Sequence, residues 1–157
     1  MLFRSLAAEW AEGVASIAPV AGPLALDSIA PKRPVPVLHF HGSLDLFTPL
    51  EGGVGRRSVT RTCHRGVVEG LLDWVRANGL DPTPATLPVP TGDDGITIER
   101  VAWGDPAGAE VVLYRIDGGG HTWPGRTPDS FYLGSATRDF AATPLIRDFF
   151  RRHPRPT

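Results

Sequence analysis

Apolar positions in this chain come in short bursts, each cut off by glycine or proline. Leu2, Phe3, Leu6, Ala7 and Trp10 fall at helical spacing and predict an amphipathic helix over residues 2–12, ended by Gly13. Residues 14–20 form a brief apolar run ahead of Ala21-Gly22-Pro23, as expected of a buried parallel strand. Residues 23–34 hold three prolines and read as a loop. Residues 35–40 predict a second buried strand, which stops at the turn Gly42-Ser43-Leu44-Asp45. Residues 46–62 are glycine-rich and irregular, with a short helix expected near their end. Val68, Leu71, Leu72 and Val75 mark a helix over 67–77, closed by Asn78-Gly79. Residues 81–90 are proline-rich and read as a linker or loop. Residues 96–103 and 111–116 alternate with period 2 across Gly104-Asp-Pro-Ala-Gly108, a hairpin signature. Leu145, Ile146, Phe149 and Phe150 give a closing helix, with Arg151 and Arg152 suited to its C-terminal dipole.

Strands alternating with helices in the order α-β-loop-β-α-ββ-α predict a mostly parallel α/β sheet, interrupted only by the hairpin. In such sheets the chemistry sits beyond the strand C-termini. Two ionisable side chains follow strands at that end, Asp45 and His121.

Composition narrows the function. A chain of 157 residues with 41% apolar and 21% charged residues fits one domain and buries roughly 70% of its unfolded surface. The net charge of -1 gives nucleic-acid binding no electrostatic support, and no apolar run is long enough to cross a bilayer. Arg4, Glu9 and Glu12 break the first apolar run, which therefore does not read as a signal peptide. Cys63 is the only cysteine, so no internal disulfide exists. Arg61, His64 and Arg65 flank it, yet a bland surface or half-buried thiol is the better expectation. Eighteen glycines and sixteen prolines predict many turns and short elements.

The candidate chemistry centres on Asp45 and His121. A triad acid must accept a hydrogen bond from a histidine Nδ1–H and fix its tautomer, and it needs a rigid perch after a strand. Asp45 has such a perch; it equally suits an ordinary turn aspartate that bonds its own backbone. His121 follows Gly118-Gly-Gly120 and precedes Trp123-Pro124, a delivery suited to a general base, or else a plain loop histidine. The glycine triplet lacks the Lys-Ser/Thr of a phosphate-binding loop. His39 and His41 lie at i and i+2 on one strand face, where zinc binding with Asp45 or His121 competes with a purely structural role, the stronger expectation. Trp123 lines a substrate pocket or shields the loop. Trp10, Trp74 and Trp103 read as packing residues.

Taken together, the segments Ile17-Ala-Pro-Val-Ala-Gly22, Val37-Leu-His-Phe-His-Gly-Ser-Leu-Asp45, Val101-Ala-Trp-Gly104 and Val112 to Gly125 resemble a family, as do Thr137-Arg-Asp-Phe140 and His153-Pro-Arg-Pro156. The chain resembles the C-terminal half of the α/β-hydrolase esterases of the polyhydroxybutyrate depolymerase and feruloyl esterase type. The resemblance covers nearly all of it, and the segment around His121 is the most specific. It implies one partial α/β-hydrolase domain over 1–157, with the N-terminal half missing. It further implies Asp45 as triad acid, His121 as triad base and a substrate pocket at Trp123, with no cofactor or metal.

The resemblance also implies a nucleophile elbow and an oxyanion-hole segment ahead of Met1. No G-x-S-x-G occurs in the 157 residues, and Ser5, Ser16 and Ser43 lack suitable flanks. Leu50 stands where the family leads one to expect a tyrosine. The implied reaction is carboxylic-ester hydrolysis on a polyester or an acylated polysaccharide. The alternatives are a noncatalytic binding half-domain, which the missing serine favours, and a zinc hydrolase. The expected origin is a truncated reading frame or fragment, ahead of a genuine half-protein. The family is commonly secreted; this sequence assigns no compartment. Expected partners are the ester substrate and either the missing half or a second copy paired along a strand edge, with no nucleic acid or membrane.

Overall fold

The computed structural model describes residue 7 and residues 11–23, 29–127 and 130–155. Its strands are β1 (Val37–Gly42), β2 (Ala85–Val89), β3 (Thr97–Gly104) and β4 (Glu110–Asp117). The helices are α1 (Val67–Ala77) and α2 (Ala142–Arg152), with a 3-10 turn at Phe131–Leu133. The helix expected over 2–12, Trp10 and Ser5 with it, lies almost wholly outside the described residues; Ala7 is helical.

The strands form one mixed sheet in the order β1-β4-β3-β2. β1 and β4 run parallel, with Val37 opposite Val111 and Gly42 opposite Ile116. β3 is antiparallel to both β4 and β2. The expectation of a mostly parallel sheet therefore gives way to a mixed one. The reason is β2, which the proline-rich stretch had concealed: its residues are mostly exposed and Pro88 sits among them, as an edge strand permits. The run over 14–20 meets β1 only through bridges at Ile17–Val37 and Val20–Phe40 rather than as a full strand. Pro19 contributes a carbonyl but no N–H there, accepting from the Phe40 amide at 3.1 Å. No helix forms within the described residues 46–62.

Alternation along β1 and β4 builds two cores. On one face Val37, Val111 and Leu113 meet Leu71, Trp74 and Val75 of α1. On the other, Leu38, Phe40, Val112 and Ile116 meet Phe149 of α2. The buried stripe of α1 is Val67, Gly70, Leu71, Trp74 and Val75, at i, i+3, i+4, i+7 and i+8. Val68 lies outside it and is exposed, as Phe150 is on α2. Asn78 then ties α1 to the start of β1, its Oδ1 accepting from the Val35 amide at 2.9 Å and its Nδ2 donating to the Val35 carbonyl at 2.8 Å. Gly79, at φ +68°, turns the chain away in the left-handed region. At the far end Glu110 is buried and receives Arg152 at 2.8 Å, His153 at 2.9 Å and Arg100 at 3.3 Å. That charge cluster fastens the end of α2 to the start of β4, a role for Arg152 beyond the helix dipole.

Trp74 and Trp103 are core residues, and the Trp103 indole donates to the Pro82 carbonyl at 2.9 Å. Cys63 is exposed and free. Among the described residues no helix is long and apolar enough to cross a membrane.

Candidate active site

β1 and β4 are hydrogen-bonded neighbours, so the turns leaving them emerge side by side. Backbone bonds stitch the two turns together. The Ser43 amide donates to the Ile116 carbonyl at 2.9 Å and the Leu44 amide to the Gly119 carbonyl at 2.8 Å. A Cβ at Gly42 would stand 2.3 Å from the Gly119 carbonyl oxygen, so only glycine fits where the turns cross. The Ser43 hydroxyl donates to Asp117 at 2.7 Å and accepts from the Gly118 amide at 3.0 Å.

This crossing presents Asp45 to His121. The Asp45 side chain is fully buried, and its Oδ2 lies 2.8 Å from His121 Nδ1. Its Oδ1 accepts from the amides of Phe47 and Thr48, each at 2.8 Å. Asp45 is thus a turn aspartate through one oxygen and a histidine partner through the other. The two sets of contacts coexist because a carboxylate has two acceptor atoms.

The His121 loop is held from the opposite side. The Gly120 amide donates to Ser135 O at 2.9 Å and the His121 amide to Leu133 O at 2.7 Å. A Cβ at Gly120 would meet the Leu133 carbonyl at 2.2 Å, which leaves no room for another residue. Farther along, the Gly125 amide donates to Thr137 O at 3.0 Å. Thr137 and the Ile96 amide hydrogen-bond the Asp94 carboxylate and hold its pKa below the usual range. The Phe47 ring packs against the imidazole of His121, centroids 5.1 Å apart. With Nδ1 facing a carboxylate, the proton belongs on Nδ1 and the lone pair on Nε2. The side chain is 34% exposed, so that lone pair can meet a substrate.

His39 and His41 reach the site from behind. Their rings stack at 5.2 Å with His39 Nε2 3.0 Å from His41 Nδ1. His41 Nε2 lies 2.8 Å from the Thr48 carbonyl and 3.5 Å from Asp45 Oδ2. A carbonyl only accepts, so His41 Nε2 carries the hydrogen and points it at the Thr48–Asp45 turn. Among the described residues no group of three or more His, Cys, Asp or Glu is arranged to hold a metal ion.

Trp123 is half-exposed beside His121, its indole donating to Thr143 Oγ1 at 3.1 Å. Together with Thr122, Arg126, Thr127 and Leu133 these residues line a cavity of about 580 Å³ that begins at His121. Asp45 and His121, singled out in the sequence, meet here, and Trp123 lines the adjoining cavity. Sequence reasoning missed Thr48, whose signal was local, an aspartate followed three residues later by a threonine in a turn. It also missed Arg126, Leu133 and Thr143, which only the fold brings to the cavity.

The structure thus has a mixed α/β form with a buried aspartate paired to a partly exposed histidine at adjacent strand ends. No protein-family model matches the chain. It is similar to the protein of Nocardia uniformis subsp. tsuyamanensis named "Putative esterase NocK", 31% identical over 145 residues. The match takes in 81% of this chain but only 40% of that relative, so the chain spans well under half of the protein it resembles.

Proposed function

We propose that the chain carries the acid and base of a serine carboxylic-ester hydrolase, as the C-terminal part of an α/β-hydrolase fold. The observation that supports this most is the 2.8 Å contact between buried Asp45 and half-open His121. The likeness to an esterase-named protein supports the same class. The nucleophile would come from residues outside these 157, in a G-x-S-x-G turn placed against His121 Nε2.

His121 Nε2 would take the serine proton as Oγ attacks the ester carbonyl, then return it to the departing alcohol. The acyl-enzyme would be cleared by water, with His121 again the base. Asp45 would hold the Nδ1–H tautomer and stabilise the imidazolium, and Trp123 would wall the substrate cavity. Within this reading the substrates are hydroxyalkanoate polyesters or feruloyl and acetyl esters of polysaccharide. The lack of any G-x-S-x-G favours a second reading, a noncatalytic binding half-domain.

Activity separates the two. The chain alone should turn over 4-nitrophenyl butyrate negligibly. Joined to the upstream in-frame coding sequence, it should become an esterase, and His121→Ala should then cost about 10³-fold or more in kcat. An extended protein that stays inactive, or that tolerates His121→Ala, would overturn the hydrolase reading.

A further inference from the structure

Arg126 lines the His121 cavity, and its side chain has no partner among the described residues. Its guanidinium makes no hydrogen bond or ion pair with any described residue, although the chain's other arginines commonly do. Among the described residues lining the cavity it is the only permanently charged one. The Asp45 carboxylate, which faces His121, is buried and already engaged by His121 and two amides.

The surroundings reinforce the positive character. Arg57 hydrogen-bonds the Tyr132 carbonyl and lies over the Tyr132 ring, next to the cavity residue Leu133. Thr143 accepts from Trp123 Nε1, which leaves its own hydroxyl hydrogen free to donate into the cavity. Thr143 also stands in the first turn of α2, whose positive end adds to the same potential. Trp123 and Leu133 supply apolar wall in the same cavity. Such a cavity combines an imidazole, an apolar wall and a cation. Its volume is that of a small-molecule site.

We propose that Arg126 selects esters whose remote end carries a carboxylate. The ester group would lie at His121, a short carbon chain against Trp123 and Leu133, and the carboxylate in the fork of the guanidinium. A lone guanidinium matches one planar, singly charged group. This rests on the hydrolase reading for which end of the ligand meets His121, but the binding it predicts needs no turnover.

The test is a titration of the 157-residue chain with glutaramate, whose amide stands in for the ester, against the neutral diamide glutaramide. The Trp123 indole N–H resonance is the reporter. Glutaramate should bind about tenfold more tightly or better, the usual margin for a hydrogen bond to a charged group. Arg126→Gln should reduce the preference to less than about twofold, since a neutral amide keeps a donor but loses the charge. An unliganded indole resonance at its wild-type position would show that the fold is intact in the variant. Equal affinity for both probes, no response to either, or a preference that survives Arg126→Gln but vanishes in Arg57→Gln would each overturn the assignment. Any of these can occur while the extended protein hydrolyses simple esters, so this inference and the hydrolase reading fail separately.

Discussion

Asp45 and His121 are 76 residues apart in the chain, yet the carboxylate oxygen of one lies 2.8 Å from the ring nitrogen of the other. Nothing local could produce that contact. It follows from parallel pairing of β1 with β4, which brings two glycine-bearing turns to the same end of the sheet.

Asp45→Asn should therefore damage function more than folding. The amide oxygen can still accept from Phe47 and Thr48, which leaves an NH2 facing His121. The ring must then accept at Nδ1 and carry its proton on Nε2, the wrong tautomer for a base. In the extended enzyme kcat should drop by about 10⁴ with the melting temperature nearly kept. Nitrogen shifts of His121 that show an unchanged tautomer would contradict this.

His41 should act through the turn. His41→Phe removes the donor to the Thr48 carbonyl and one contact of His39. Leaving the buried carbonyl without that donor should cost about 1–3 kcal/mol in urea denaturation. A variant as stable as the parent would mean that the His41–Thr48 contact adds nothing.

Gly42→Ala places a methyl group 2.3 Å from a backbone oxygen that cannot swing aside. The two turns must part, at a cost of about 1–3 kcal/mol or more. The His121 ring resonances should lose their Asp45-bound signature. Retention of both stability and that signature would show that the crossing is looser than its geometry implies.

Asp94 supplies a pH dependence. Its folded pKa is lowered, first by Thr137 and then by the Ile96 amide. The stability it adds is therefore present above the unfolded carboxylate value of about 3.9 and is lost as pH falls through the folded value. Asp94→Asn should lower the denaturation midpoint at neutral pH and match wild type in strong acid. A deficit that persists undiminished at pH 2 would exclude the charge as its source.

The segment that bridges to β1 predicts association. Ile17 and Ala21 donate to Pro36 and Phe40, and Ile17 and Pro19 accept from Leu38 and Phe40. The amides of Ala18 and Val20 have no such partner among the described residues. An edge of this kind pairs readily with another chain. We expect dimers, or poor solubility, in size-exclusion chromatography with light scattering. A monomer with a cooperative melt across micromolar concentrations would show that the edge is protected.

How far the sequence could be read follows from where each signal resides. The β3–β4 hairpin and both described helices announced themselves through apolar periodicity, because one face of each is buried. Asp45 and His121 were legible for a related reason: each follows an apolar run that a glycine turn cuts short. β2 was illegible because its identity lies in its pairing with β3, while its own residues are exposed and include Pro88. The charges around Glu110 were equally hidden, since His153 arrives from 43 residues away. The sequence allowed His41 to sit near Asp45, but not its bond to the Thr48 carbonyl, which depends on the chain folding back after Gly42.

The crossing of the two turns has a kinetic consequence. The contact between Asp45 and His121 can form only after a loop of more than seventy residues has closed and β1 has found its register on β4. Closing so long a loop is a costly and comparatively late event. A one-residue slip would exchange the faces that Phe40 and His41 occupy and dissolve the contact. The imidazole of His121 is therefore a built-in clock for folding: its resonance should take the aspartate-bound position last, after the hairpin and the helices have already formed.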